Sequence, residues 1–201
     1  GARAPEHRRS IVTATRIPPL AGPTYAIVPA RPRDLDALRS IEHAAAELLE
    51  GHAPRSVLDE VTDENTFRDA QAEGRLWVAL AGDTPVGFAL VEMLAEDLPH
   101  LEEIDVDPRH GRRGLGAALV HAVCEWAARS GYREITLTTF RAVLWNMPFY
   151  SRLGFEEIPA KALRPELAAV VRDETARGLD PRGRVVMRYR TSAGVAKATS
   201  P

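Results

Sequence analysis

Thiols are almost absent from the sequence: Cys124 is the one cysteine among 201 residues. A lone thiol closes no internal disulfide and excludes cysteine-based zinc coordination. A reducing, cytoplasmic setting is expected. Lysine is nearly absent too. Lys161 and Lys197 are the only two, so arginine carries almost all of the positive charge. No run approaches the ~18 consecutive apolar residues that a membrane helix requires. The arginines near the start have no apolar stretch behind them, which argues against a secretory signal. A surplus of either charge is also missing, since 26 basic and 28 acidic side chains leave a net charge of −2. Chains that coat nucleic acid or anionic lipid carry a large basic excess. Neither a nucleic-acid nor a membrane partner is therefore expected. His7, His43, His52, His110 and His121 show no metal-ligand spacing, so no metal site is expected either.

What is present is the composition of a globular domain, 45% hydrophobic and 27% charged. The length suits one domain. Residues 1–24 contain Arg3, Arg8, Arg9 and Arg16 among Pro5, Pro18, Pro19 and Pro23, which block regular structure, and are expected to be a flexible tail. Residues 191–201 are small and polar and read as a second tail. The folded part is then 25–190.

Within it, Tyr25–Pro29 reads as a strand. Leu35, Leu38, Ile41, Ala45, Leu48 and Leu49 share one side of a helix over Arg33–Glu50. A second helix is expected over Val57–Glu73. Leu76–Ala81 and Pro85–Leu94 are strands joined at the Gly82-Asp83-Thr84 turn. A strand follows over Leu101–Val106, then a helix from Gly114 to Arg129 with Leu119, Val120, Val123, Cys124 and Ala127 on its buried stripe. The remaining elements are a strand Ile135–Phe140, a short helix Asn146–Leu153, a strand Phe155–Ile158, a helix Glu166–Gly178 and a strand Val185–Tyr189. This order predicts an α/β (α+β) domain with a mixed central sheet and helices on its faces.

The stretch Ile104–Gly116, IDVDPRHGRRGLG, carries the first chemical signal. A strand turns at Asp107-Pro108, and a helix opens at Gly114. The first N–H groups of a helix have no partner within it and attract anions. Gly111, Gly114 and Gly116 let a phosphate approach that backbone closely, and Arg112 and Arg113 add charge. No Gly-Lys-Ser/Thr follows, so this is not a nucleoside-triphosphate loop. The alternative is a glycine-rich turn with two solvated arginines. The second signal is Trp145-Asn146-Met147-Pro148-Phe149-Tyr150-Ser151-Arg152-Leu153-Gly154-Phe155. Asn146 suits a helix N-cap, Pro148 suits a first turn, and Asn146 and Tyr150 fall on one side. Taken alone, these residues also fit an ordinary capped helix whose tyrosine merely packs.

Together the two stretches resemble the GCN5-related N-acetyltransferase (GNAT) superfamily over about 25–160. The resemblance implies a mostly antiparallel sheet of about six or seven strands. It also implies acetyl-CoA as co-substrate, with its pyrophosphate on the backbone of Gly111, Arg112, Arg113, Gly114, Leu115, Gly116 and Ala117. The family pattern is Gln/Arg-x-x-Gly-x-Gly/Ala; here Gly111 replaces the Gln or Arg, which removes one side-chain contact. The later motif, Asn before Phe-Tyr-x-x-Leu-Gly-Phe, matches Asn146 and Phe149–Phe155. The interval from Asn to Tyr is four residues where seven is common.

The family transfers an acyl group, usually acetyl, from CoA to a primary amine by direct attack within a ternary complex. The resemblance assigns polarisation of the thioester carbonyl to the Val106 N–H. It assigns protonation of the thiolate to Tyr150, and places the pantetheine arm against Asn146 and Phe149. For the general base, a regular strand puts His100 and Glu102 on the face of Val106, with Glu102 preferred. A bulge of the kind common in family strands turns Glu103 inward instead, and a water relay is a further option. From Leu90 to Asp107 stand Glu92, Glu96, Asp97, Glu102, Glu103, Asp105 and Asp107 with no Lys or Arg. If these line the acceptor cleft, the acceptor is a cationic small-molecule amine or a peptide; otherwise they form a charged, solubilising edge. Trp145 could shape that cleft. Residues 160–178 could cover it or contact a second subunit in a homodimer. A non-catalytic acyl-CoA-binding module on the same fold is the alternative function.

Overall fold

The computed structural model describes residues 23–193. Seven strands form one sheet: Tyr25–Pro29 (β1), Leu76–Ala81 (β2), Thr84–Ala95 (β3), Leu98–Val106 (β4), Glu134–Phe140 (β5), Glu156–Glu157 (β6) and Arg184–Arg190 (β7). Their order is β1-β2-β3-β4-β5-β7-β6. Every neighbouring pair is antiparallel except β4 and β5, which run parallel. The sheet is therefore mixed and mostly antiparallel, as the motifs implied.

Both faces are covered, which explains the nearly unbroken apolar runs of β2 and β3. Leu76, Val78, Leu80, Phe88 and Leu90 pack against Leu38 and Ile41 of α1 (Leu38–Ala46) and Phe67 and Ala70 of α3 (Glu64–Ala72). The one-turn α2 (Arg55–Leu58) lies between these helices in the chain. Trp77, Ala79, Ala89 and Val91 face the other way, onto Leu115, Leu119, Val120, Val123, Cys124 and Ala127 of α4 (Leu115–Arg129). Burial pushes the Cys124 thiol up to about 12, so it packs as a small apolar side chain. Tyr150 of α5 (Met147–Arg152) joins this second core. Leu167 of α6 (Pro165–Ala176) packs with Leu98, Ile158 and Val186.

Several expected boundaries differ. The helix expected over Arg33–Glu50 is α-helical only in α1 and is flanked by 3-10 turns at Pro32–Ala37 and Glu47–Leu49. Asp34 turns inward to bind Arg31 at 2.9 Å, which holds the first turn tight. The helix expected over Val57–Glu73 is two helices, because the Asp63 side chain accepts from Asn65 N–H at 2.8 Å and starts α3 afresh. Pro99 lies inside β4, opposite Met93 and beside a register shift in β3. Two residues expected within the tails are bonded to the domain. Thr24 accepts from Gly82 N–H at 2.9 Å, and the buried Thr191 donates its N–H to Arg133 at 3.0 Å. Residues 1–22 and 194–201 of the expected tails lie outside the described residues.

Candidate active site

The site begins with a one-residue irregularity in β4. Its partners on β3 run Val106–Gly87, Asp105–Phe88, Ile104–Ala89 and Glu103–Leu90, and then Leu101 pairs Val91. Glu102 has no opposite number, so it is a β-bulge. Side-chain alternation changes phase there. Leu101, Ile104 and Val106 face the α4 core, whereas Glu103 and Asp105 sit opposite Leu90 and Phe88 on the α1/α3 face. The expectation that Glu102 and His100 share the face of Val106 held only for a regular strand and is corrected by this bulge. The approach of β3 at this point requires glycine: a Cβ on Gly87 would lie 2.8 Å from the Asp105 carbonyl oxygen.

On its other side β4 meets β5 at one Cα pairing, His100 with Thr136. From Glu102 to Val106 no residue of β4 is paired with β5, so the N–H and C=O groups on that edge have no ladder partner there.

The glycine-rich turn stands at the end of β4. Asp107 accepts from Arg109 N–H at 2.9 Å and pairs its guanidinium at 2.6 Å, closing the turn Pro108–His110. Arg112 (φ 57°) and Gly114 (φ 79°) both take left-handed backbone, and Gly114 forms the N-cap of α4. The first N–H bonded within the helix is that of Ala118, to Gly114 at 3.0 Å. Leu115, Gly116 and Ala117 therefore present N–H groups with no helical partner. Gly116 lies against Phe149, whose ring would be 3.6 Å from an added Cβ. Arg113 extends over the Tyr25 ring at 5.8 Å, and Tyr25 Oη lies 3.0 Å from His110 Nδ1. The left-handed backbone at Arg112 and Gly114, the side-chain-free Gly111, Gly114 and Gly116 and the free N–H groups of Leu115–Ala117 would fit a phosphate-bearing cofactor.

Asn146 occupies the N-cap of α5 but makes no side-chain capping bond. Its carbonyl accepts from Tyr150 N–H at 3.0 Å, so the amide is left for another partner. Tyr150 is buried between the Phe149 and Phe155 rings, 5.1 and 5.6 Å away. Burial, and then the negative charge of Asp105, hold its phenol well above the usual value. Tyr150 therefore stays protonated, close enough to Asp105 to feel its charge.

The acids gather on the α1/α3/α6 side. Glu102 projects from the bulge with 39% of its side chain exposed. Surrounding protein, and then the charge of Glu92, push its carboxyl up to about 7. Glu103 Oε2 lies 3.0 Å from Thr62 Oγ1, which donates to Glu42 Oε1 at 2.9 Å. Burial raises the proton affinity of Glu103 and Asp105, and the charge of Glu42 adds to it in both. His100 is not brought to this surface. It is buried where β4 pairs with β5, with Nδ1 2.9 Å from Thr136 Oγ1 and Nε2 3.9 Å from Glu102 Oε2, and burial lowers it to about 4. It therefore stays neutral. Glu42 and Thr62 were not singled out from the sequence; Thr62 reaches Glu42 and Glu103 from the segment before α3.

Residues 160–178 do border this face. Glu174 of α6 forms a buried pair with Arg184 at 2.5 Å, and Arg177 reaches Glu60 at 2.8 Å. Trp145 is half exposed and meets His52 edge to face, with ring centres 5.8 Å apart. Among the described residues no group of His, Cys, Asp and Glu has the arrangement of a metal site. No described helix is long and apolar enough to cross a membrane.

Comparisons with known proteins fit this geometry. The chain is 35% identical over 88 residues to human N-acetyltransferase 8, a match that spans 40% of this chain and 38% of that protein. It is 32% identical over 91 residues to an uncharacterized N-acetyltransferase of Methanocaldococcus jannaschii, spanning 42% and 40%. The chain therefore spans about two fifths of the length of these relatives. Among solved structures, the ribosomal-protein-S18-alanine N-acetyltransferase of Escherichia coli superposes with a TM-score of 0.58 at 21% identity, covering 84% of this chain and 95% of its own. The PaiA N-acetyltransferase of Thermoplasma acidophilum, solved with coenzyme A, has a TM-score of 0.58 at 14% identity, covering 83% and 99%. These two likenesses establish the fold. The sequence model of the Acetyltransferase (GNAT) family matches residues 37–155, more than half of the chain and both motifs included, and the chain belongs to that family.

Proposed function

We propose that this chain is an acetyl-CoA-dependent N-acetyltransferase that transfers the acetyl group directly to a primary amine of a cationic small molecule. The observation that carries this is the β4 edge left unpaired by β5 from Glu102 to Val106, which leads into the Gly111–Ala117 turn and bears carboxylates. Acetyl-CoA supplies the activated thioester. The backbone N–H groups of Leu115, Gly116 and Ala117 bind its pyrophosphate, with Arg112 and Arg113 adding charge. The Asn146 amide and the Phe149 ring hold the pantetheine arm. The Val106 N–H polarises the carbonyl as charge develops on its oxygen. Glu102, poised near 7, takes the proton from the attacking amine. Tyr150, kept neutral by burial, donates toward the departing sulfur.

The test is release of free thiol from acetyl-CoA across a panel of primary amines, with mass spectrometry of the products. Amide products from at least one cationic amine are expected, and Tyr150→Phe should lose most turnover while still binding CoA. CoA binding with no amide product from any amine would instead establish a non-catalytic acyl-CoA-binding module.

A further inference from the structure

An acidic cluster without a side-chain cation among the described residues lies next to Glu102 on β4. Glu42 of α1 and Glu103 of β4 meet at the hydroxyl of Thr62, and Asp105, two residues further along β4, hydrogen-bonds the Glu103 carboxyl. Thr62 also donates its backbone N–H to Glu42 Oε1 at 2.8 Å. Among the described residues no Lys, Arg or His pairs with any of the three, although neighbouring acids such as Glu174 and Asp107 each have an arginine. Glu42 is only 8% exposed, and its Oε2 is buried with no hydrogen-bond partner. A buried carboxylate oxygen without a donor is costly and rare.

We propose that Glu42, Glu103 and Asp105 form a seat for a second ammonium group of the acceptor, one that does not react, so that the acceptor class is a diamine or polyamine. The assignment rests on the N-acetyltransferase function proposed above and narrows its substrate. The reason lies in what each nitrogen must do. The attacking amine has to lose its proton, and three clustered carboxylates would hold that proton on it. They suit a nitrogen that stays charged throughout. Glu102 stands apart from the cluster on the bulge and has one accessible carboxylate for the reacting nitrogen. The cluster also keeps protons beyond the usual carboxylate range. An incoming ammonium replaces a proton there, with charge-assisted bonds to groups that no side-chain cation serves.

Calorimetry on the full chain saturated with CoA, which cannot turn over, tests the seat without relying on activity. Putrescine is expected to bind about tenfold or more tightly than n-butylamine. Glu42→Gln is expected to bring that ratio close to one. If that variant does not fold, Glu103→Gln, at a half-buried position, provides the same ratio. Equal binding of the two amines, or a ratio unchanged in the variants, overturns the seat. Kinetics separate the two proposals. Putrescine binding without acetyl transfer to any amine leaves the seat standing and overturns the transferase. Transfer to both amines with equal KM does the reverse.

Discussion

Replacing Glu102 with glutamine gives the sharpest test of the chemistry, because the surroundings of this carboxyl set the pH at which the effect appears. Crowding by protein, and then the Glu92 charge, raise this carboxyl from 4.5 to about 7. A general base works in its ionised form, so the sign is fixed: activity rises with pH through about 7 and falls below it. One unit below that midpoint only about a tenth of the molecules hold an ionised Glu102. kcat/KM should therefore fall about tenfold per pH unit on the acid side. Glu102→Gln should remove that limb and lower the plateau by about 10²–10⁴-fold, the usual contribution of a positioned base. Glu92→Gln should keep the limb and move its midpoint downward, since one repelling charge is gone. The assay is thiol release from acetyl-CoA with one amine across pH 5.5–9. The amine's own ionisation adds a separate limb that survives in Glu102→Gln. An acid limb near 7 that persists in Glu102→Gln would refute Glu102 as the base and pass the role to Glu103 or an ordered water.

Tyr150→Phe should cost about 10²-fold in kcat with CoA affinity unchanged by equilibrium binding. Its melting temperature should barely move, because no described residue hydrogen-bonds the hydroxyl and the ring stacking is retained. Asn146→Ala should raise KM for acetyl-CoA yet change stability by less than about 0.5 kcal/mol in urea unfolding, since the amide caps nothing in α5. Gly87→Ala should destabilise by about 1–3 kcal/mol in the same measurement, because its methyl would sit 2.8 Å from the Asp105 carbonyl oxygen and press on β4 at the bulge. Glu174→Ala should be worse, about 3–5 kcal/mol, as it leaves Arg184 buried and unpaired.

Where one physical signal dominated, the sequence was legible to the residue. β1 and β2 fall at the expected Tyr25–Pro29 and Leu76–Ala81, because apolar runs bounded by turn residues have few competing interpretations. The start of α4 was legible for the same reason: Gly114 takes φ 79° at its N-cap, a conformation that favours glycine. Residues 33–73 were harder because helical periodicity continues across breaks. Asp63 could equally be a solvent-facing helix residue or the cap that ends one helix and starts another. Only the hydrogen bond it makes to Asn65 decides.

The base was illegible for a different reason. In LEEIDV, alternation assigns Glu102 and Ile104 to one face and Glu103 and Asp105 to the other. A single bulge reverses the phase on one side of it and leaves the other side alone. No residue type marks the bulge, since it arises from pairing with β3, where Val91 meets Leu101 and Leu90 meets Glu103. That slip frees Glu102 from the ladder and reverses the phase of Leu101 and His100, while Glu103 and Asp105 keep the face opposite Ile104 and Val106. Adjacent glutamates, chemically identical in the sequence, thereby acquire different neighbours: Glu92 for one, and Asp105, Glu42 and Thr62 for the other. Their proposed division into proton acceptor and cation seat follows from the register of two strands and from no property of either residue alone.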